Sequence, residues 1–239
     1  GHDHLVGDAA DNRINGLGGN DVIEGGAGQD TLFGGAGNDR LIGGPGIDTL
    51  IGGTGDDSFV LDRPDDVVVL PYLQDGPGHD VVELAFVQAG RYLVPYGTET
   101  VKVTSPQHLA IDVDGGESFS GLPMTLIGGL GPNRLTGAYG ADVLRGEAGD
   151  DWLDGGYGHD TLTGGAGRDS FYLGSPGSAQ AVAEPVVPVP EHQAALADSA
   201  DTFTDFTPTQ DTLVLSAALF SALGAWTGQR IGTATTPFL

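Results

Sequence analysis

Residues 25–60 read GGAGQDTLF, GGAGNDRLI, GGPGIDTLI and GGTGDDSFV, four nonapeptides with one grammar. Glycine holds the first, second and fourth positions, aspartate the sixth, and a large apolar residue the eighth. A short fixed period of this kind marks a solenoid, in which each unit buries its apolar side chain only against its neighbours. The ruler extends upstream through GLGGNDVIE and GDAADNRIN to Gly7, and GHDHLV is the tail of one more unit. It returns at Gly128 with GGLGPNRLT, GAYGADVLR, GEAGDDWLD, GGYGHDTLT and GGAGRDSFY. The sixth position is therefore Asp3, Asn12, Asp21, Asp30, Asp39, Asp48 and Asp57, then Asn133, Asp142, Asp151, Asp160 and Asp169. The eighth is Leu5, Ile14, Ile23, Leu32, Leu41, Leu50 and Phe59, then Leu135, Leu144, Leu153, Leu162 and Phe171.

Each unit has two physical halves. Glycines at the first, second and fourth positions permit positive φ and a tight loop that turns its carbonyls toward a common centre. The last three residues suit a short strand whose middle side chain points inward. Two nonapeptides make one coil, so loops of alternate repeats stack: Asp21 over Asp39 over Asp57 on one side, Asp30 over Asp48 on the other. Stacked strands lie ~4.8 Å apart, and calcium–oxygen bonds run about 2.3–2.6 Å. One calcium ion thus fits between two loops. Magnesium, with bonds of ~2.0–2.1 Å and a tightly held water shell, suits the spacing less well. Zinc would want His or Cys ligands.

Composition narrows the partners. Acidic residues number 33 against 9 basic ones, a formal net charge of -24, and Lys102 is the sole lysine. Such a chain repels nucleic acids and anionic membranes. No apolar run approaches the ~20 residues of a transmembrane helix. Cysteine is absent, which removes disulfides, thiolate metal sites and a Cys nucleophile. A hydrophobic content of 39% argues against an acidic disordered tail. The chain opens at Gly1 with no basic-then-apolar leader, as expected of a fragment or processed product.

The nonapeptide resembles the RTX (repeats-in-toxin) family, whose repeat is G-G-x-G-x-D-x-U-x with U a large apolar residue. The resemblance implies an all-β fold, a right-handed parallel β-roll with calcium between the loops of successive coils. It also implies that carbonyls at positions two and four of one loop join those at one and three of the loop a coil further on. For the Asp30–Asp48 pair these are Gly26 and Gly28 with Gly43 and Pro45. By the same rule Gly1 joins Gly16 and Gly18, Gly19 joins Gly34 and Ala36, and Gly35 and Gly37 join Gly52 and Thr54, while Gly25 and Ala27 serve the Asn12–Asp30 pair. In the second block Gly129 and Gly131 join Gly146 and Ala148, Gly140 joins Gly155 and Tyr157, and Gly149 joins Gly164 and Ala166. Asn12 and Asn133 replace the aspartate, Ala10 replaces the fourth glycine, and Leu17, Ala138 and Glu147 replace the second. Edge sites are expected to be weaker for it. Pairing loops coil by coil gives about eight calcium ions, with a ninth if Asp66 completes a site over Asp48.

Residues 1–61 form the first repeat block and 125–173 the second. Between them, 62–124 lose the glycine ladder but keep strand-like runs at 67–70, 81–87, 92–94 and 109–113, with Asp66 and Val68, then Asp80 and Val82, in phase. This β-rich spacer is expected to continue the stack with metal-free turns, a separate small domain being the alternative. Residues 174–198 read as an exposed Pro-rich loop. Residues 199–239 resemble the C-terminal flank that caps such rolls, with Val214, Leu215, Leu219, Phe220, Leu223 and Trp226 as its apolar patch. A cap is needed because terminal strands are otherwise unpaired.

Catalytic signatures are missing. The histidines at 2, 4, 79, 108, 159 and 192 lack H-E-x-x-H spacing. No G-x-S-x-G elbow appears, and the glycine loops lack the Lys-Ser/Thr of a phosphate loop. Trp152, at an outward seventh position, reads as a lone surface aromatic, and Tyr157 as a loop residue. The expectation is a non-enzymatic calcium-binding module of a larger secreted or cell-surface bacterial protein, largely unfolded without calcium. By resemblance its partner is the type I secretion machinery, with folding after export. The alternatives are the non-catalytic C-terminal module of an extracellular metalloprotease, lipase or alginate epimerase, and an adhesin or surface-layer element with lattice contacts.

Overall fold

The computed structural model describes residues 1–70, 78–116, 122–173 and 202–215. The Pro-rich stretch 174–198 and the apolar patch from Leu219 to Trp226 lie outside the described residues. Within them the chain is all strand and turn, wound as a solenoid of parallel sheets. One long sheet runs the length of the roll. It contains β1 (His4–Val6), β3 (Val22–Glu24), β5 (Arg40–Ile42), β7 (Ser58–Leu61), β9 (Val81–Leu84), β11 (Thr100–Val103), β13 (Thr125–Ile127), β15 (Val143–Arg145), β17 (Thr161–Thr163) and β19 (Thr202–Phe203). The opposite wall is in two pieces. The first is β2 (Arg13–Gly18), β4 (Thr31–Ala36), β6 (Thr49–Thr54) and β8 (Val67–Val69). The second is β10 (Gly90–Leu93), β12 (Ile111–Asp114), β14 (Asn133–Thr136), β16 (Trp152–Asp154), β18 (Ser170–Leu173) and β20 (Thr212–Leu215).

Register follows the repeat. Leu5 pairs with Ile23, Ile23 with Leu41, and Leu41 with Phe59, each two nonapeptides on. Ile23, Leu32, Leu41, Leu50 and Phe59 are fully buried, as are Leu135, Leu144, Leu153, Leu162 and Phe171. Because side chains alternate along a strand, the eighth position faces inward while the seventh and ninth face out. The pairing passes through the spacer without leaving the sheet: β7 pairs β9, β9 pairs β11, and β11 pairs β13. The sequence spacing between partners is longer there than two nonapeptides, since Phe59 pairs with Val82 and Val101 with Leu126. At the far end β18 pairs β20 and β17 pairs β19, so part of the flank completes a further coil.

Two local expectations change. Positive φ occurs at most of the second and fourth glycines, such as Gly35 (115°) and Gly37 (124°), though not at Gly129 and Gly131, and at none of the first-position glycines. Those are glycine for a different reason, given below. Trp152 is not a lone aromatic: Tyr172 stacks against it at 5.6 Å between centroids, and the Arg134 guanidinium lies 5.6 Å from its ring. Tyr157 likewise stacks on Tyr139 at 4.6 Å. Neighbouring coils place like rows one above another, so these rings cover each other's faces.

Candidate metal centre

The sixth-position side chains form two columns along the edges of the roll, buried from Asp21 and Asp30 onward. On one edge, Oδ1 of Asp21 accepts the Asp3 N–H at 2.7 Å, that of Asp39 accepts the Asp21 N–H at 2.8 Å, and that of Asp57 accepts the Asp39 N–H at 2.9 Å. On the other, Asn12 donates to Asp30, and Asp30 to Asp48. The second block repeats the device: Asn133 donates to Asp151, Asp142 to Asp160, and Asp151 to Asp169. One oxygen per carboxylate is thereby used to hold coil to coil.

The other oxygen is the informative one. Oδ2 of Asp21, Asp30, Asp39, Asp48 and Asp151 is buried and has no hydrogen-bond partner. Burying a carboxylate oxygen this way is costly unless a cation or donor meets it. Burial pushes the carboxyls of Asp39, Asp48, Asp142 and Asp169 above the usual carboxylate range, and that of Asp151 up to about 7. A cation is what would make the ionised form comfortable.

The first-position glycine keeps that space open. A Cβ on Gly34 would collide with Asp39 Oδ2 and with the carbonyl oxygen of Gly52 in the next coil. The same convergence of a sixth-position oxygen and a first-position carbonyl recurs at Gly7, Gly16, Gly25, Gly128, Gly137 and Gly146. These mark the steps Asn12–Asp30, Asp21–Asp39, Asp30–Asp48, Asp39–Asp57, Asn133–Asp151, Asp142–Asp160 and Asp151–Asp169. Third-position carbonyls stand alongside. Those of Ala36, Pro45, Thr54, Tyr157 and Ala166 each accept one N–H from the coil before, at 2.8–3.0 Å, which leaves each a second lone pair. Hard oxygens, carboxylate and carbonyl, are the donor set that calcium takes. Among the described residues no three His, Asp or Glu side chains converge on one point, so an ion here would rely on backbone oxygen.

The loops are not all alike. In three of them the second-position N–H donates to the loop's own sixth residue: Asp8 to Asn12 at 2.8 Å, Gly129 to Asn133 at 2.7 Å, and Ala138 to Asp142 at 2.9 Å. These are the first loops of their columns, and their oxygens are partly satisfied from within. Leu17 and Glu147, also without the second glycine, keep the open form by adopting φ of 73° and 72°. Over Asp48 the column changes again. Its N–H reaches Asp66 Oδ1 at 3.1 Å, but the first position there is Leu61, and Arg63 Nη1 donates to the Gly46 carbonyl at 3.3 Å.

Two ladder members lie where glycine is missing. Glu99 Oε2 accepts the Asp80 N–H at 2.7 Å, and Asp211 Oδ1 accepts the Asp169 N–H at 3.1 Å. The sequence signal for both exists, an acid two residues before Val101 and Leu213. The histidines make local contacts: His79 meets Thr100, His2 meets the Asn20 carbonyl and His108 the Leu130 carbonyl. No helix among the described residues is long and apolar enough to cross a membrane.

Comparison with known families gives four copies of the RTX calcium-binding nonapeptide repeat, at residues 1–32, 33–68, 125–153 and 145–175. Comparison with curated proteins gives no match.

Proposed function

Because the chain belongs to the RTX calcium-binding repeat family, we propose that its two repeat blocks order around calcium held between successive loops. The observation that carries this reading is the set of buried, partnerless Oδ2 atoms, of which those of Asp21, Asp30, Asp39 and Asp151 each face a first-position carbonyl of the next coil. Calcium supplies the positive charge that such an oxygen cage lacks. The aspartates position the coils through Oδ1 and present Oδ2 inward, and the glycine loops bring their carbonyls to the same space. About eight ions fit the loop pairs, including the Asp3–Asp21 step at the first coil. They would carry +16 against a formal charge of -24, leaving -8. Leu61 stands against a ninth over Asp48.

The roll is a structural, non-catalytic module. Its parent is a secreted or cell-surface protein, or an extracellular enzyme whose catalytic domain lies elsewhere in the chain. By resemblance to the family, export is by type I machinery. Folding is tied to the metal because one buried apolar side chain per nonapeptide is too little to offset the backbone entropy of ordering nine residues, and binding free energy that exists only in the folded state favours order where calcium is plentiful. Far-UV circular dichroism in EDTA, with calcium then added, tests this. A large, cooperative gain of β signal with calcium and little with magnesium is expected. A full β spectrum in EDTA would refute it.

A further inference from the structure

The first repeat position separates two kinds of coil. Along one edge of the long sheet the register stacks Gly25, Gly43, Leu61, Leu84, Val103 and Gly128 in order: Gly43 and Leu61 follow the paired Ile42 and Val60, Leu61 pairs with Leu84, Leu84 with Val103, and Gly128 follows Ile127, the partner of Lys102. This position points inward. In the repeat coils it must be glycine, since a Cβ would fill the space between the aspartate oxygen and the next carbonyl. At the end of the first block and through the spacer the same position carries Leu61 and Leu84, both 0% exposed, and Val103 at 5%. Above Gly43, where the next residue is Leu61, the three nearest atoms to a Cβ all belong to Asp48, and no carbonyl comes nearer than 3.0 Å.

We propose that the coils between the two repeat blocks are a calcium-independent core of the roll, in which inward apolar side chains fill the space kept open for ions elsewhere. The proposal rests on the calcium reading of the repeats and narrows it: the repeats need the metal, the spacer does not. The spacer strands β9 and β11 each turn two apolar side chains inward, Val82 with Leu84 and Val101 with Val103, where a repeat strand such as β5 turns in only Leu41. Phe86 packs edge-on against Tyr92 beside them at 6.5 Å. Burial of apolar surface does not depend on any ion.

Hydrogen–deuterium exchange of the full chain, in EDTA and in calcium, tests this. In EDTA the amides of β9, β11 and β12 should exchange at least tenfold more slowly than those of β3, β5, β15 and β17. In calcium all should be protected. Spacer amides exchanging in EDTA as fast as the repeat amides would overturn the proposal while leaving the calcium reading intact. Full protection of the repeats in EDTA would instead overturn the calcium reading, and the proposal with it.

Discussion

In β5 one side chain, Leu41, faces the interior, and the adjoining step from Gly25 to Gly43 leaves an open space lined by Asp30 Oδ2 and the Gly43 carbonyl. In β9, two strands along the same sheet, Val82 and Leu84 face inward and no such space is left. The backbone path is shared, since β5, β7 and β9 pair in parallel and in register. On the proposed reading, what differs is the source of stabilisation: ionic contacts that require an added partner in one, hydrocarbon burial in the other. On that reading a parallel roll does not need metal as such. It needs its interior filled, and glycine at one position decides which filling is possible.

Substitutions at matched positions separate the two. Leu84→Ala removes a fully buried spacer side chain and is expected to destabilise by about 2–5 kcal/mol, equally at low and high calcium. Leu41→Ala carries a similar intrinsic cost, but in a coil whose order is linked to ions, so its cost should appear as a raised calcium midpoint and shrink at saturating calcium. Equal calcium dependence for the two variants, in parallel denaturant titrations, would erase the distinction.

A smaller change closes one step. Gly34→Ala places a methyl against Asp39 Oδ2 and the Gly52 carbonyl, so native mass spectrometry should find one ion fewer and the chain still folded. An unchanged count would place the ion elsewhere. Smaller again is the effect of position in the column. Asp39 has a ladder partner on both sides, Asp21 and Asp57, whereas Asp3 has only Asp21. Asp39→Ala should therefore raise the calcium midpoint more than Asp3→Ala. Identical midpoints would argue against ions shared between neighbouring loops.

The repeat made most of the fold legible. The eighth position alone names the core from Ile23 to Phe59, and the doubled period places Asp21 over Asp39. The reason for the first glycine was not legible, because a local sequence permits positive φ without saying that a neighbouring coil's oxygen forbids a Cβ. Glu99 and Asp211 were hidden for a related reason. Their loops lack the glycine signature, and only the strand pairing of Val101 with Val82 and of Leu213 with Phe171 puts them on the ladder. The aromatic rows escaped because Trp152 and Tyr172 become neighbours only once coils are stacked.

A structure refined from crystals grown in calcium tests the account most directly. Ions are expected between the loops of Asp3 and Asp21, Asn12 and Asp30, Asp21 and Asp39, Asp30 and Asp48, and Asp39 and Asp57, and at the three steps from Asn133 to Asp169, with none between Asp48 and Asp66 above Leu61. Ions at only one or two of these steps, or one seated over Leu61, would contradict it.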